Sequence, residues 1–303
     1  MAFSVAPRDE LDGVLDVAAE RGRVCALAMA CFGDLSTWSA RHPALFPADP
    51  FGPSVFGGIA LAMAFGSPGV APGELRTTAR TVMWAFGLDR LVDHVATERG
   101  QVEAIVDGCE AVAGGAPPPG DDPLLVVLAQ LRDELAARDG WAELAPVWRE
   151  ELGGYLAANL REWDWKTRAA GGAALPSFEE YLANADNIGA TFVNVTHWVD
   201  RGTVRTAGEL RRLTEAGDAA QRVLRLVNDL ASHERDQRWG DLNGLMLGVD
   251  RAAVTERIAG LTEDFELLAA SLATDHPEAA DHLRRQVGFS TGFYGVTDYW
   301  GTR

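Results

Sequence analysis

The sequence predicts an all-α protein, a single large helical bundle enclosing an apolar cavity. Three observations predict it. Long stretches place apolar residues at i, i+3, i+4 and i+7, the spacing of one helix face. Ala, Leu, Glu and Arg, all strong helix formers, dominate those stretches. Alternating runs of Val, Ile, Thr and Tyr, the mark of strands, are nearly absent.

The elements follow in order. Residues 9–32 (DELDGVLDVAAERGRVCALAMACF) carry the helical spacing, and VFGGIALAMAFG (55–66) reads as a core helix. TVMWAFGLDRLVDHVA (81–96) is an apolar and aromatic helix that ends in acids. PLLVVLAQLRDELAARDG (123–140), AELAPVWREELGGYLAANLREWDWKTRAA (142–170) and AAVTERIAGLTEDFELLAASLA (252–273) repeat the pattern, and LRLVNDLASHERDQRWGD (224–241) joins them. The aromatic end, STGFYGVTDYWGTR, reads as a last helix docked on the core. Breaks fall at GSPGVAPGE (66–74), GGAPPPGDDP (114–123) and GGAALPS (171–177); Gly and Pro stop helices there. None of these is long enough for a flexible linker, so residues 1–303 are expected to form one domain of roughly ten helices, given typical helix lengths.

Composition narrows the function. The chain has 303 residues, 47% of them hydrophobic, and a formal charge of -17. A surface so acidic repels a phosphate backbone and an anionic membrane face, which argues against both as partners. A small anion remains compatible, because divalent cations stand between two negative groups. The three cysteines, Cys25, Cys31 and Cys109, include no CxxC pair and read as buried thiols of a reduced, cytoplasmic protein. The opening residues lack a basic segment followed by an apolar run. The stretch 55–66 is too short to span a bilayer.

Two constellations carry the chemistry. On a helix, i, i+4 and i+8 drift by only about 40° per step, so Asn228, Ser232 and Asp236 line one stripe. Amide oxygen, hydroxyl and carboxylate are hard oxygen donors of the kind Mg²⁺ takes alongside phosphate and water. Asp89 and Asp93 sit at i, i+4 after the apolar run 81–88; like charges at that spacing destabilise a helix, and a bound cation relieves them. Each pattern by itself also describes a solvated helix face. Together, in an all-α chain with an apolar interior, they describe two oxygen-bearing walls that clamp a diphosphate through metal ions. Such ions stabilise the charge developing on a leaving oxygen.

In FGLDRLVDH and NDLASHERD, and in their separation, the chain resembles the class I terpene synthases, whose paired motifs are DDxxD and (N/D)Dxx(S/T)xxxE. The resemblance covers nearly the whole chain and is of the bacterial, single α-domain type. It implies that Asp89 and Asp93 are metal ligands, with Arg90 in place of the second aspartate of the motif. It implies the same role for Asn228, Ser232 and Asp236, the last being one methylene shorter than the usual glutamate, and diphosphate binding for Arg235. The implied cofactor is Mg²⁺, three ions with the substrate diphosphate. Gly189, with Ile188, falls where the family breaks a helix to turn a carbonyl towards the cation. The diphosphate-sensing arginine of bacterial members aligns with Ala185, and their terminal Arg-Tyr pair with Asp298-Tyr299; Tyr299 keeps its role, and Arg90, Arg225 and Arg303 are the candidates for the missing guanidinium. YLANADNIG is similar to the YLxNA stretch of plant diterpene synthases, which favours geranylgeranyl diphosphate or a bicyclic C20 diphosphate as substrate, with farnesyl diphosphate as the alternative.

Aromatic faces attract cations. Phe86, one turn before Asp89, is the leading candidate for contact with the carbocation; Trp84, Trp163, Phe192, Trp198 and Trp300 are expected on cavity-facing helices. The rivals fit less well. A chain-elongating or squalene-type synthase carries two aspartate-rich motifs, and a class II cyclase needs DxDD; neither pattern occurs in the sequence. An acidic helical scaffold that binds other proteins has no need for the paired motifs. A homodimer is compatible with all of these readings.

Overall fold

The structure is a computed structural model, and it describes residues 8–300, with side-chain surroundings from residue 13 onward. Among the described residues there are eleven α-helices and no strand. They are α1 (Arg8–Ser39), α2 (Pro53–Gly66), α3 (Arg76–Arg90), α4 (Arg99–Ala113), α5 (Pro123–Ala136), α6 (Trp141–Ala170), α7 (Phe178–Ala183), α8 (Ala190–Arg201), α9 (Ala207–Trp239), α10 (Arg251–Leu272) and α11 (Pro277–Tyr294). The breaks expected from Gly and Pro fall between α2 and α3, α4 and α5, and α6 and α7.

Local chemistry sets the helix starts. Asp122 accepts hydrogen bonds from the backbone N–H groups of Leu124 and Leu125, and Pro123 opens α5, where a missing N–H costs nothing. Ser177 with Glu180, and Thr206 with Glu209, form reciprocal capping boxes at the starts of α7 and α9. Asp250 caps α10 through the N–H of Ala253.

The core is built on large rings. Trp84, Trp148, Trp198, Tyr155 and Phe192 are all less than 3% exposed. Phe192 of α8 lies 5.9 Å from Trp84 of α3, 5.6 Å from Trp148 and 6.1 Å from Tyr155, both of α6. This knot fastens α3, α6 and α8 to one another. The indole N–H groups of Trp84 and Trp148 are satisfied by the Leu124 carbonyl and the Thr196 hydroxyl, as burial requires. α9 packs on α6, α8, α10 and α11, and α11 also packs on α2. The resulting ring of α2, α3, α6, α8, α9 and α11 surrounds a chamber.

Three expectations are corrected here. Cys25 is exposed, while Cys31 and Cys109 are buried, and none of the three is in a disulfide. Trp84, Trp163, Phe192 and Trp198 do not line the chamber; they belong to the core behind it, because their rings fill the seams between helices. The chain end after α11 is not helical: residues 295–300 form turns, and Tyr299 and Trp300 fold back against Phe86. No helix among the described residues is long and apolar enough to cross a membrane.

The aromatic knot yields a stability prediction. Trp84→Ala should lower unfolding free energy by about 3–5 kcal/mol, the cost of deleting a large buried ring, measured by urea denaturation; a loss below about 1 kcal/mol would mean that the knot does not hold these helices together.

Candidate active site

α3 delivers the first acid. Asp89 sits in its last turn, and the chain then widens into a single π turn over Leu91–Val95 that carries Asp93. The simple i, i+4 picture of one regular helix is therefore modified: a π turn intervenes, a feature common at functional sites because it re-aims side chains. The Tyr155 hydroxyl donates to Asp89 Oδ1 at 2.6 Å. Burial, and next the charge of Asp93, push the Asp89 carboxyl well above the usual carboxylate range. Asp93 accepts a hydrogen bond from Lys166, which also reaches Asp241 at 3.3 Å. Burial acts to lower the Lys166 ammonium, but Asp93 and then Asp241 outweigh it and hold the group above the usual lysine range.

α9 delivers the second wall. Ser232 is fully buried, donates to Asp236 Oδ2 at 2.5 Å and lies 3.4 Å from Asn228 Oδ1. The stripe read from the sequence is thus a hydrogen-bonded ladder. Asn243, from the turn after α9, donates to Asp236 Oδ2 at 2.8 Å, and Arg235 donates to Asp236 Oδ1 at 3.0 Å. Asp229, the residue beside Asn228, faces inward to different work. It accepts from the Tyr181 hydroxyl and from the Gly244 N–H, and burial, only partly offset by Arg225, pushes it up to about 7.

Both walls meet in one chamber of about 250 Å³, more than ten times the roughly 10–15 Å³ that one water needs, so it is ligand-sized. Asp89, Asp93, Asn228 and Asp236 line it; Ser232 stands behind them. Phe86, Tyr299 and Trp300 line it as an aromatic group, with Phe86 5.5 Å from Tyr299 and 5.2 Å from Trp300. Arg235 lines it too, ion-paired with Asp298 and lying over Trp239. Among the described residues its buried Nε has no hydrogen-bond partner. Of the three candidate arginines, Arg90 and Arg225 line the chamber and Arg303 lies outside the described residues.

The break expected at Gly189 is present. A short 3₁₀ turn, Ala185–Ile188, ends at Gly189 with φ +68°, and α8 begins at the next residue. Only glycine suits the position: the conformation is left-handed, and a Cβ there would stand 3.0 Å from the Tyr155 ring. α9 holds the break from the other side. Gln221 accepts from the Thr191 N–H at 2.9 Å and donates to Asp186 at 2.8 Å, and Arg225 binds Asn187 and, at 2.8 Å, Glu162.

Sequence reasoning missed several groups. Glu162, which adds a carboxyl to the chamber and pairs with Arg225, and Lys166, which bridges Asp93 and Asp241, stand at i, i+4 on α6; the EWDWK stretch carried that spacing. Asp241 and Asn243 lie just past the end of α9, where no periodicity marks them. Six carboxyl side chains but only three arginines line the chamber, so its wall calls for added positive charge. Among the described residues, no three His, Cys, Asp or Glu side chains converge enough to hold an ion by themselves. Mg²⁺ is usually bound through one or two carboxylates and completes its shell with water and substrate phosphate, and Asp89, Asp93 and Asp236 offer carboxyl groups on the two walls.

Comparison with known proteins agrees with this geometry. The family described as terpene synthase family 2, C-terminal metal binding, matches residues 80–256, more than half of the chain. The chain is similar to ent-pimara-9(11),15-diene synthase of Streptomyces sp. (strain KO-3988), 26% identical over 91% of this chain and 93% of that protein. Its fold is similar to linalool/nerolidol synthase from Streptomyces clavuligerus in complex with 2-fluorogeranyl diphosphate, with a TM-score of 0.69 and 18% identity over 89% of this chain and 94% of the other. It is also similar to 2-methylisoborneol synthase from Streptomyces coelicolor A3(2) in complex with Mg²⁺ and geranyl-S-thiolodiphosphate, with a TM-score of 0.68 and 16% identity over 92% of each chain.

The Lys166 bridge can be tested directly. Lys166→Met removes the ammonium between Asp93 and Asp241, leaving Asp241 with His94 at 3.9 Å, and should cost about 1.5–3 kcal/mol in metal-free denaturation, the range for hydrogen bonds to charged groups. Unchanged stability would show that the bridge contributes nothing to the folded state.

Proposed function

The chain belongs to the terpene synthase family, and from that premise we propose that it ionises a prenyl diphosphate with the help of Mg²⁺ and cyclises the carbocation to a diterpene hydrocarbon or alcohol. The observation that carries this reading is the meeting of Asp89 and Asp93 with Asn228 and Asp236 in one chamber that also has an aromatic wall. In the proposal, these four residues with Ser232 hold the metal ions, three with the diphosphate. Bound there, Mg²⁺ supplies Lewis-acid stabilisation of the departing diphosphate.

The chain's own residues do the rest. Arg235 is proposed to steady the diphosphate, its charge already oriented by Asp236 and Asp298. Arg225 on α9 and Arg90 on α3 line the chamber from its two walls and are the remaining guanidinium candidates. Phe86 and Tyr299 present ring faces to the carbocation, and Gly189, itself packed against the Tyr155 ring, sets the break whose neighbours Ile188 and Ala190 line the chamber. Lys166 pairs with both Asp93 and Asp241 and offsets part of their charge while no ion is present. The turn at 295–300, tied down by Arg235 and Asp298 and packed through Tyr299 and Trp300, keeps water from the cation.

A C20 substrate, geranylgeranyl diphosphate or a bicyclic diphosphate derived from it, is favoured by the similarity to a diterpene synthase over nine-tenths of the chain and by YLANADNIG. Farnesyl diphosphate is the alternative. The rest of the proposal is a single domain over 1–303, a cytoplasmic protein of bacterial secondary metabolism, and no macromolecular partner beyond a second copy.

Incubation with geranyl, farnesyl and geranylgeranyl diphosphates and Mg²⁺, followed by mass spectrometry of the organic layer, should give cyclic product best from the C20 substrate. Cyclic product from farnesyl diphosphate alone would correct the chain length, and none from any of the three would overturn the function. Asp89→Ala or Asn228→Ala should cut turnover by about a hundredfold or more, the scale of a lost group that stabilises developing charge, with helix content unchanged by circular dichroism. Full turnover in both variants would remove these residues from the mechanism.

A further inference from the structure

The end of the chamber away from the acidic motifs is closed by a fixed cluster. His282 of α11 lines the chamber there, twelve residues before Tyr294, which stands beside Asn228. At about 1.5 Å per residue the two positions are about 18 Å apart along the helix. α3 repeats the separation: Thr78, 3.1 Å from Nδ1 of His197, comes eleven residues before Asp89, about 16 Å along the axis. α2 does the same. Gly66 packs on His282, and Gly58, eight residues earlier and about 12 Å away, packs on Tyr299. Between these two levels the helices turn apolar groups to the chamber: Met63 on α2, Val82 and Ala85 on α3, and Phe289 on α11.

His282 has little freedom. It is 7% exposed and stacks on His197 of α8, ring centroids 4.5 Å apart and planes 13° apart. Its Nδ1 faces the Ser67 hydroxyl at 3.0 Å and the Gly66 carbonyl at 3.2 Å, and its Nε2 faces Oδ1 of Asn194 at 3.2 Å. Asn194 is held in turn by donating to Gln286 at 2.9 Å, and Ser67 Oγ also reaches Nε2 of His197 at 3.3 Å. Both nitrogens of His282 are therefore taken. Burial lowers the group to about 4, so the ring is uncharged near neutral pH. A Cβ on residue 66 would stand 3.2 Å from Cε1, so the ring packs directly on the backbone of α2. The imidazole is a neutral, fixed block.

Behind this block lies more space. Gly66 and His282 line both the chamber and an outer groove of about 270 Å³, which Val70, His197 and Trp198 also line. Gly66 has no side chain, so among the described residues the imidazole is the one side chain shared by the two cavities. We propose that His282 is the end stop for the prenyl chain and so a specificity-determining residue. The diphosphate is held at the acidic end, the tail runs along Val82, Ala85, Phe289 and Met63, and the imidazole sets the longest tail that fits. A chain one isoprene unit longer has to displace a ring held at both nitrogens and by a stack. Truncating the ring joins the chamber to the groove and admits that chain. A single methylene too many in a closed pocket is already worth about 10–200-fold in discrimination, and an isoprene unit is larger.

The end stop rests on the terpene synthase reading, and one experiment separates them. The unmodified protein and the variants His282→Ala, His282→Val, His282→Gln and His197→Ala are incubated with Mg²⁺ and farnesyl, geranylgeranyl or geranylfarnesyl diphosphate, and released diphosphate is measured. The unmodified protein should use geranylfarnesyl diphosphate about tenfold or more less well than its best shorter substrate, and His282→Ala should raise that ratio by about tenfold, the low end of one-methylene discrimination. His282→Val should shift the ratio in the same direction but less far. His282→Gln keeps bulk and polar contact and should leave the ratio unchanged. So should His197→Ala, which removes a ring that lines the groove but not the chamber. Release from the best shorter substrate reports that each variant is folded. Equal use of the longest and the best shorter substrate by the unmodified protein would overturn the proposal without any variant. An unchanged ratio in the folded truncations would overturn it as well, and so would a shift in His197→Ala as large as in His282→Ala, which would trace the effect to loosening of the cluster. The synthase reading would stand in all three cases. No diphosphate release from any of the three substrates by the unmodified protein would overturn both.

Discussion

Six carboxyl groups around one partly buried chamber cannot all carry charge in a low-dielectric wall without compensation. That constraint organises the molecule. Asp89 answers it by holding its proton more tightly and accepting a hydrogen bond from Tyr155. Asp93 and Asp241 answer it with Lys166, Glu162 and Asp229 with Arg225, and Asp236 with Arg235. The compensating cations come from α6 and α9, so the electrostatics of the chamber tie together helices that the aromatic knot of Trp84, Trp148, Tyr155 and Phe192 already packs. Breaking one of these pairs leaves a charge with no partner, which costs far more than an exposed ion pair contributes.

The same arrangement gives the proposed chemistry its order. A wall so rich in carboxylates repels a diphosphate until cations arrive, so under the proposal substrate and metal enter together. Lys166 occupies part of the acidic wall beforehand, offsetting part of its charge without closing the chamber. Tyr155 links the two demands: its hydroxyl holds Asp89, and its ring stands where a side chain on residue 189 would lie. The glycine at the helix break and the first acid are therefore positioned by one residue.

The aromatic and polar walls divide the remaining labour. Phe86, Tyr299 and Trp300 offer ring faces to the chamber, whereas Asp89, Asp93, Asn228 and Asp236 offer oxygens.

The sequence by itself determined the helices and where they stop, because periodicity, caps and Gly/Pro breaks act within a turn or two; α6 and α10 fall within one residue of the expected bounds. It also determined which oxygens lie on one stripe, since Asn228, Ser232 and Asp236 are related by the helix repeat alone. Only the tertiary structure decided what those residues face. That Trp84 and Trp198 fill core while Phe86 and Trp300 line the chamber depends on which helix packs against each ring. The Lys166 bridge to Asp93 and Asp241 and the Arg235–Asp298 pair bring together residues from 63 to 75 positions apart. No local pattern encodes such meetings, because they exist only once the helices have packed.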